Sequence, residues 1–152
     1  MTQPAPAALS LLVFGGGYLG LAAAREAIRR SGRAFATSRD PARRAELTAA
    51  GVIAVDPADA AALQAAVASA SAILITAAPD SAGCPGLKAL IPAISAAQAY
   101  PDWIGYVSST AVYGDRAGGW AFEDDELNAA SVEAAMSMIA GTARSMGVTV
   151  GE

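Results

Sequence analysis

Short apolar runs, each separated from the next by a longer helical pattern, constrain the fold of this chain more than any other feature of its sequence. The runs are apolar throughout instead of alternating with polar residues, which is typical of strands buried on both faces of a sheet. They lie at 9–14, 34–38, 52–55, 72–76 and 103–108. Because a helical segment separates consecutive runs, the strands are expected to be parallel. The sequence predicts an α/β fold with a doubly wound parallel sheet in the order 3-2-1-4-5, and a short sixth strand starting at 148–150.

Capping residues and proline set the expected helices. Asp40-Pro41 and Asp56-Pro57 each place a capping carboxylate before a proline, the residue pair that favours a helix start. Trp103, on the fifth strand, could stack on a ligand, but packing in the core or as a loop anchor is expected. The predicted helices are 18–31, 41–50, a third that starts at Asp56-Pro57 and runs to about residue 69, 86–99 with a break or kink near Pro92, and 132–146.

Charge and composition exclude several classes of function. The 152 residues carry a net charge of -4 and include no histidine, which argues against nucleic-acid binding and removes histidine-based catalysis and metal ligation. Cys84 is the one cysteine, so no internal disulfide or thiolate cluster can form, as in a cytoplasmic protein. No apolar run is long enough to span a membrane. We predict a disordered lead at 1–8, a single domain at 9–152, no metal, and no nucleic-acid or membrane partner.

A glycine-rich turn follows the first strand and opens the first helix. Its sequence, GGGYLG at 15–20, has the spacing G-x-G-x-x-G in the strand–turn–helix context that dinucleotide binding requires. Gly15 would permit the tight turn, Gly17 the close approach of a pyrophosphate, and Gly20 the close packing of helix on strand. The helix N-terminus, with Tyr18 and Leu19, would face the anion. The alternative is a plain strand–helix turn with spare glycines.

The end of the second strand favours NADP over NAD. An acidic residue usually follows this strand in NAD-binding proteins, where it binds the ribose 2′-hydroxyl, but this strand ends in Thr37-Ser38-Arg39. Arg39 would meet a 2′-phosphate and Ser38 would add a hydrogen bond. Arg39 as a solvated loop charge is the alternative. Asp40 keeps NAD open, although helix capping also explains it.

Two more strand ends supply candidate cofactor-binding residues. Asp56 ends the third strand, where a carboxylate often lies near the adenine amine, and capping of the next helix explains it equally well. Ala77 and Ala78 follow the fourth strand and would leave room for the cofactor ribose. An alanine-rich composition would also account for this pair.

A hydroxyl cluster at the end of the fifth strand completes the pattern. With FGGGYLG (14–20), TSRD (37–40), ITAAP (75–79) and YVSSTAVYGD (106–115), the chain resembles the extended and atypical short-chain dehydrogenases/reductases, the NAD-dependent epimerase/dehydratase family. That resemblance implies a catalytic hydroxyl at Ser109, with Thr110 as a nearby second candidate. It also implies a Rossmann fold and an NAD(P)-dependent oxidoreductase or epimerase acting on a small alcohol, carbonyl or sugar-type substrate.

The sequence departs from this family in two ways. The family pairs its serine with Tyr-x-x-x-Lys on the following helix, whereas 132–146 contains neither tyrosine nor lysine. The family also continues into a C-terminal substrate region, which this sequence is expected to lack. A non-catalytic NADP(H)-binding sensor or regulatory domain and a truncated inactive relative are therefore the alternative functions. A second subunit in a homo-oligomer would cover the core left open.

Overall fold

The computed structural model describes residues 8–30, 32–80, 83–107 and 120. The chain divides into two units, Met1–Val107 and Ser108–Glu152, and every helix and strand of the described residues belongs to the first. In chain order they are β1 (Ser10–Phe14), α1 (Tyr18–Arg29), β2 (Arg33–Thr37), α2 (Pro41–Ala49), β3 (Ile53–Val55), α3 (Ala60–Ser69), β4 (Ala72–Ile75), α4 (Pro85–Ala97) and β5 (Trp103–Tyr106).

The strands form one parallel sheet in the order β3-β2-β1-β4-β5, which confirms the predicted α/β architecture and strand order. β1 is central, and its Leu12 lies opposite Phe35 of β2 and Ile73 of β4. The chain adds β2 and β3 on one side of β1 and then returns to add β4 and β5 on the other. The direction of winding therefore reverses between β1 and β4, which is where open α/β sheets form ligand crevices.

Side chains of the strands alternate between two cores, one on each face of the sheet. Leu11 and Val13 pack with α1 and α2, whereas Leu12 and Phe14 pack with α3 and α4. The largest fully buried side chains are Leu12, Leu47, Ile73, Ile75, Leu90, Val13, Val52, Val67 and Thr37. Thr37 is the one polar side chain in that set, and it lies at the end of β2 beside the glycine-rich turn.

The capping residues in the structure confirm the predicted start of α2 and differ from the predicted start of α3. Asp40 caps α2 by accepting a hydrogen bond from the Ala42 N–H at 2.9 Å, and Pro41 occupies the first helical position, as predicted. The prediction that Asp56-Pro57 starts the third helix is wrong. Asp59 caps α3, whereas Asp56 forms a preceding turn in which its carboxylate accepts from the Ala58 N–H. A second Asp three residues later offered a better cap, because its side chain reaches an N–H inside the helix.

Removal of the Asp59 side chain tests whether this residue caps α3. We expect Asp59→Ala to lower the free energy of unfolding by about 1 kcal/mol, because the Ala62 N–H loses its acceptor at 3.0 Å. Asp59→Asn keeps a capping oxygen and should retain most of the stability. Urea unfolding followed by circular dichroism measures both variants. Equal stability of the alanine and asparagine variants would show that Asp59 does not cap the helix.

Two further expectations differ from the structure. α4 continues through Pro92, so of the break or kink expected there the break is wrong. Trp103 is 53% exposed and is not a core residue, because β5 is the last strand on its side of the described sheet and the indole lies across Gly105. The predicted sixth strand, the helix at 132–146 and the lead at 1–7 lie outside the described residues. Among the residues described, no helix combines the length and apolar character needed to cross a membrane.

Candidate functional site

A cleft of about 630 Å³ lies at the carboxyl ends of β1, β2 and β4, where the winding of the sheet reverses. Its walls come from the turn after β1, the start of α2, the turn after β3 and the start of α4. The residues lining it are Phe14, Gly15, Gly16, Gly17, Thr37, Ser38, Arg39, Asp40, Arg43, Pro57, Ala58, Ala77, Pro85 and Ala89. The structure therefore brings together five of the predicted cofactor-binding residues: Gly15, Gly17, Ser38, Arg39 and Ala77.

Gly15 turns the chain at the end of β1 in a way that other residues could not. Its φ is +118°, and a Cβ there would lie 2.6 Å from Thr76 Oγ1 and 2.7 Å from the Ala77 nitrogen. The Gly15 N–H donates to Thr37 Oγ1 at 3.0 Å, and its carbonyl accepts from Thr76 Oγ1 at 2.7 Å. Threonines at the ends of β2 and β4 thus fix the turn from both sides.

The other two glycines of the motif have different surroundings. A Cβ on Gly17 would meet nothing within 4 Å, so the backbone at this position is open to the cleft. A Cβ on Gly20 would overlap the Gly15 carbonyl oxygen and lie 3.0 Å from Val13 Cγ1, so only glycine lets α1 lie this close to β1. These surroundings are the ones that the sequence motif assigns to its second and third glycines.

The first turn of α1 presents, beside the cleft, backbone N–H groups that have no acceptor in the part of the chain that the structure describes. Gly17 caps the helix without a side-chain hydrogen bond, and Leu21 is the first residue to donate back along the chain, to the Gly17 carbonyl at 2.9 Å. The N–H groups before it have no acceptor within the helix. Together with the helix dipole, they give this end of the cleft a partial positive charge.

The residues after β2 place a cation and a hydroxyl in the cleft, beside the glycine-rich turn that follows β1. The Arg39 side chain is exposed and makes no hydrogen bond or ion pair with the described residues, so its charge is available. The Ser38 hydroxyl accepts from the Asp40 N–H at 3.2 Å and can still donate its proton. Asp40 uses one carboxylate oxygen to cap α2. Ser38 and Arg39 therefore place two potential hydrogen-bond donors at this part of the cleft.

Sequence reasoning missed Arg43, which lines the same cleft from the first turn of α2. Its Nε–H donates to the Gly16 carbonyl at 2.7 Å, and one terminal nitrogen pairs with Glu46. The side chain is 27% exposed, so it is more buried than a solvated surface arginine. The contact between Arg43 and Gly16 could not be predicted from spacing, because the two residues are 27 positions apart in the sequence. A helical arginine one turn before Leu47, a fully buried residue, was the available signal.

The remaining predicted cofactor-binding residues do not line this cleft. Asp56 forms an ion pair with Arg44 at 3.0 Å. Arg44 also donates hydrogen bonds to the carbonyls of Ser38 and Arg39, and these contacts hold the loop after β2 in place. Ala78 is exposed. The side chains of Tyr18 and Leu19 are exposed on the first turn of α1, and Gly20 is buried beneath that turn.

The predicted catalytic hydroxyls, Ser109 and Thr110, lie outside the described residues. The strand that leads to them ends at Tyr106, which packs against the core cluster shared with α3 and α4. Burial, with a smaller effect of the nearby Cys84 thiol, raises the pKa of the Tyr106 phenol above its ordinary value. That phenol is therefore neutral at neutral pH. In the described part of the chain, no three acidic, cysteine or histidine residues cluster in a way that could hold a metal ion.

The chain is similar to solved structures with this fold. It is 34% identical to a functionally unknown conserved protein from Silicibacter pomeroyi DSS, with a TM-score of 0.66 over 88% of this chain and 46% of that one. It is 22% identical to an anaerobillin reductase from Escherichia coli O157:H7, with a TM-score of 0.51 over 67% of this chain and 52% of that one. This chain thus spans about half the length of each. The second similarity shows a common fold, an α/β Rossmann-like fold with a parallel sheet.

A sequence model of the ribosomal protein L11 RNA-binding domain matches residues 122–150. The match covers less than a fifth of the chain, and all of it lies outside the described residues. This segment contains the acidic residues Glu123, Asp124, Asp125, Glu126 and Glu133 and a single basic residue, Arg144. Such a charge is opposite to the one that attracts an RNA backbone.

Proposed function

We propose that the cleft binds a nicotinamide dinucleotide, with NADP(H) preferred over NAD(H), and that the chain is the dinucleotide-binding part of an oxidoreductase. The observation that carries this proposal is the turn at 15–17. It combines a left-handed Gly15, an open backbone at Gly17 and the unpaired N–H groups of α1 at the winding reversal of the sheet. A pyrophosphate is the group that such a turn accommodates.

The residues present suit the pyrophosphate and the adenosine half of the dinucleotide. The N–H groups of the turn and the first helical turn would hold the pyrophosphate. Arg39 and Ser38 would hold the 2′-phosphate, because a guanidinium without another partner binds a phosphate through several charge-assisted hydrogen bonds. Pro57, Ala58 and Ala89 line the cleft with small apolar surfaces that suit a flat adenosine. NAD(H) lacks the 2′-phosphate and would leave Arg39 without its ligand.

The proposed substrate is a small alcohol, carbonyl or sugar-type molecule. The nicotinamide ring, when bound, supplies hydride donation or acceptance. The Ser109 hydroxyl, with Thr110 as the second candidate, would hydrogen-bond the substrate oxygen and stabilise the charge that develops on it. The proposal includes no nucleic-acid or membrane partner, and it places the chain in the cytoplasm, with a second copy as a partner.

Titration with NADPH and NADH, followed by nicotinamide fluorescence, tests the cofactor proposal. The unmodified chain should bind NADPH more tightly than NADH. We expect Arg39→Ala to reduce that preference by about 10-fold or more, since an arginine–phosphate contact contributes roughly 1.5–3 kcal/mol. Arg30→Ala is the matched control, because it removes an equal charge from the C-terminal end of α1, away from the cleft. Binding of neither nucleotide would refute the proposal, and an unchanged preference in Arg39→Ala would refute the role of that residue.

A non-catalytic NADP(H)-binding domain is the second candidate. It is favoured by the absence of tyrosine and lysine from 132–146, where the resembled family has its acid–base pair. NADPH consumption with a series of small aldehydes and ketones separates the two candidates. Turnover that is lost in Ser109→Ala supports the enzyme, whereas tight NADPH binding without turnover of any of them supports the binding domain.

A further inference from the structure

We propose that Arg43 is a positioning residue that fixes the orientation of the Gly16–Gly17 peptide, so that the Gly17 N–H faces the bound pyrophosphate. This inference rests on the proposed dinucleotide function of the cleft. It assigns to α2 a role in anion binding that it performs without contacting the anion.

The Gly16 peptide groups are held on both sides. The Gly16 N–H donates to the Thr37 carbonyl at 2.7 Å, and the Gly16 carbonyl accepts from Arg43 Nε at 2.7 Å. Gly16 itself is buried against α2, since a Cβ on it would lie 2.7 Å from Leu47 Cδ1. Arg43 and Leu47 are one helical turn apart, so the same face of α2 packs over Gly16 and binds its carbonyl.

The carbonyl contact determines where the next N–H points. The described residues contain no cis peptide bond, so the Gly16 carbonyl and the Gly17 N–H point in opposite directions across a planar trans peptide. With the carbonyl directed at Arg43, the N–H is directed away from it. That N–H has no acceptor among the described residues, and Gly17 is open to the cleft.

Without Arg43 this peptide could rotate. Glycine on both sides of the peptide makes a flip sterically inexpensive, because neither residue has a Cβ that restricts its dihedral angles. A flipped peptide would direct the carbonyl oxygen towards the phosphate, where its partial negative charge repels the ligand. Glu46 pairs with another nitrogen of Arg43 and so orients the guanidinium for the Gly16 contact.

This role differs from direct recognition of the 2′-phosphate, and binding of three probes distinguishes the two. NADPH contains both the pyrophosphate and the 2′-phosphate, NADH contains only the pyrophosphate, and adenosine 2′-phosphate contains only the 2′-phosphate. We expect Arg43→Met to weaken the binding of NADPH and of NADH by the same factor, about 10-fold. The affinity for adenosine 2′-phosphate should stay unchanged. Arg43→Lys keeps a donor but loses the rigid fork, and should weaken both dinucleotides about threefold.

Calorimetric titration at physiological ionic strength measures these affinities, and Arg30→Met, at the C-terminal end of α1, is the matched control for loss of charge. Loss of NADPH and adenosine 2′-phosphate binding with NADH binding unchanged would overturn the proposal, as would equal affinities in Arg43→Met and Arg30→Met. If Arg43→Met does not fold, Arg43→Lys decides: parallel weakening of both dinucleotides supports the proposal, and unchanged affinities overturn it. If the unmodified chain binds neither dinucleotide, the proposed function fails and this role fails with it. If the unmodified chain binds, failure of the Arg43 variants concerns this role alone.

Discussion

Gly17→Ala is expected to weaken NADPH binding by about 30-fold or more while leaving the fold intact. Gly17 has a φ of -69° and a ψ of -163°, an extended conformation that alanine adopts readily, and a Cβ there meets nothing within 4 Å. The added methyl group would occupy the space through which a pyrophosphate approaches the backbone. A loss of about 2 kcal/mol in binding corresponds to this change in affinity.

Stability must be measured beside affinity for this variant. Alanine is a weaker helix cap than glycine, but it also restricts the unfolded chain, and these effects nearly cancel. We expect the free energy of unfolding to change by less than about 0.5 kcal/mol. Thermal or urea unfolding without ligand provides the measurement. Unchanged NADPH affinity in a folded Gly17→Ala protein would show that the pyrophosphate does not lie against this turn.

Gly20→Ala is expected to destabilise the protein by about 3 kcal/mol. In an ordinary helix interior this substitution would stabilise by roughly 0.5–1 kcal/mol, so the expected sign is reversed. The reason is that the new Cβ would overlap the Gly15 carbonyl oxygen and press on Val13 Cγ1 at 3.0 Å. Both the backbone of the turn and α1 would have to shift, and overpacking of this kind is costly.

Urea unfolding of Gly20→Ala beside Gly17→Ala separates packing from ligand approach. The two substitutions add the same methyl group three residues apart in one turn. We expect Gly20→Ala to lose stability. We expect Gly17→Ala to lose affinity for NADPH at nearly constant stability. A Gly20→Ala protein as stable as the unmodified chain would contradict the close packing of α1 on β1.

The fold could be predicted from sequence because its signals are local. Continuous apolar runs identified buried parallel strands, and Asp40-Pro41 identified a helix start that the structure confirms. The start of α3 was misplaced because Asp56 and Asp59 are both competent caps, and the choice between them depends on where the chain can turn after β3. Asp56 pairs with Arg44, a contact between distant residues that spacing does not reveal.

The candidate site could be predicted only where its signals are local in the sequence. The glycine spacing identified the turn, and the residues after β2 identified Ser38 and Arg39 as cleft residues. Thr37, Thr76 and Arg43, which hold the turn in place, were missed, because their hydrogen bonds join the turn to β2, β4 and α2. Such contacts depend on the order of strands in the sheet and not on any short motif.

Amide chemical shifts of the unmodified chain during titration with NADPH show whether NADP(H) binds in the cleft at the glycine-rich turn. We expect the backbone amides of Gly15, Gly17, Ser38 and Arg39 to shift together with a single affinity. The same titration with NADH should shift Gly15 and Gly17 at higher nucleotide concentrations and affect Arg39 little. No shift with either nucleotide, or shifts confined to residues away from the cleft, would show that NADP(H) does not bind there.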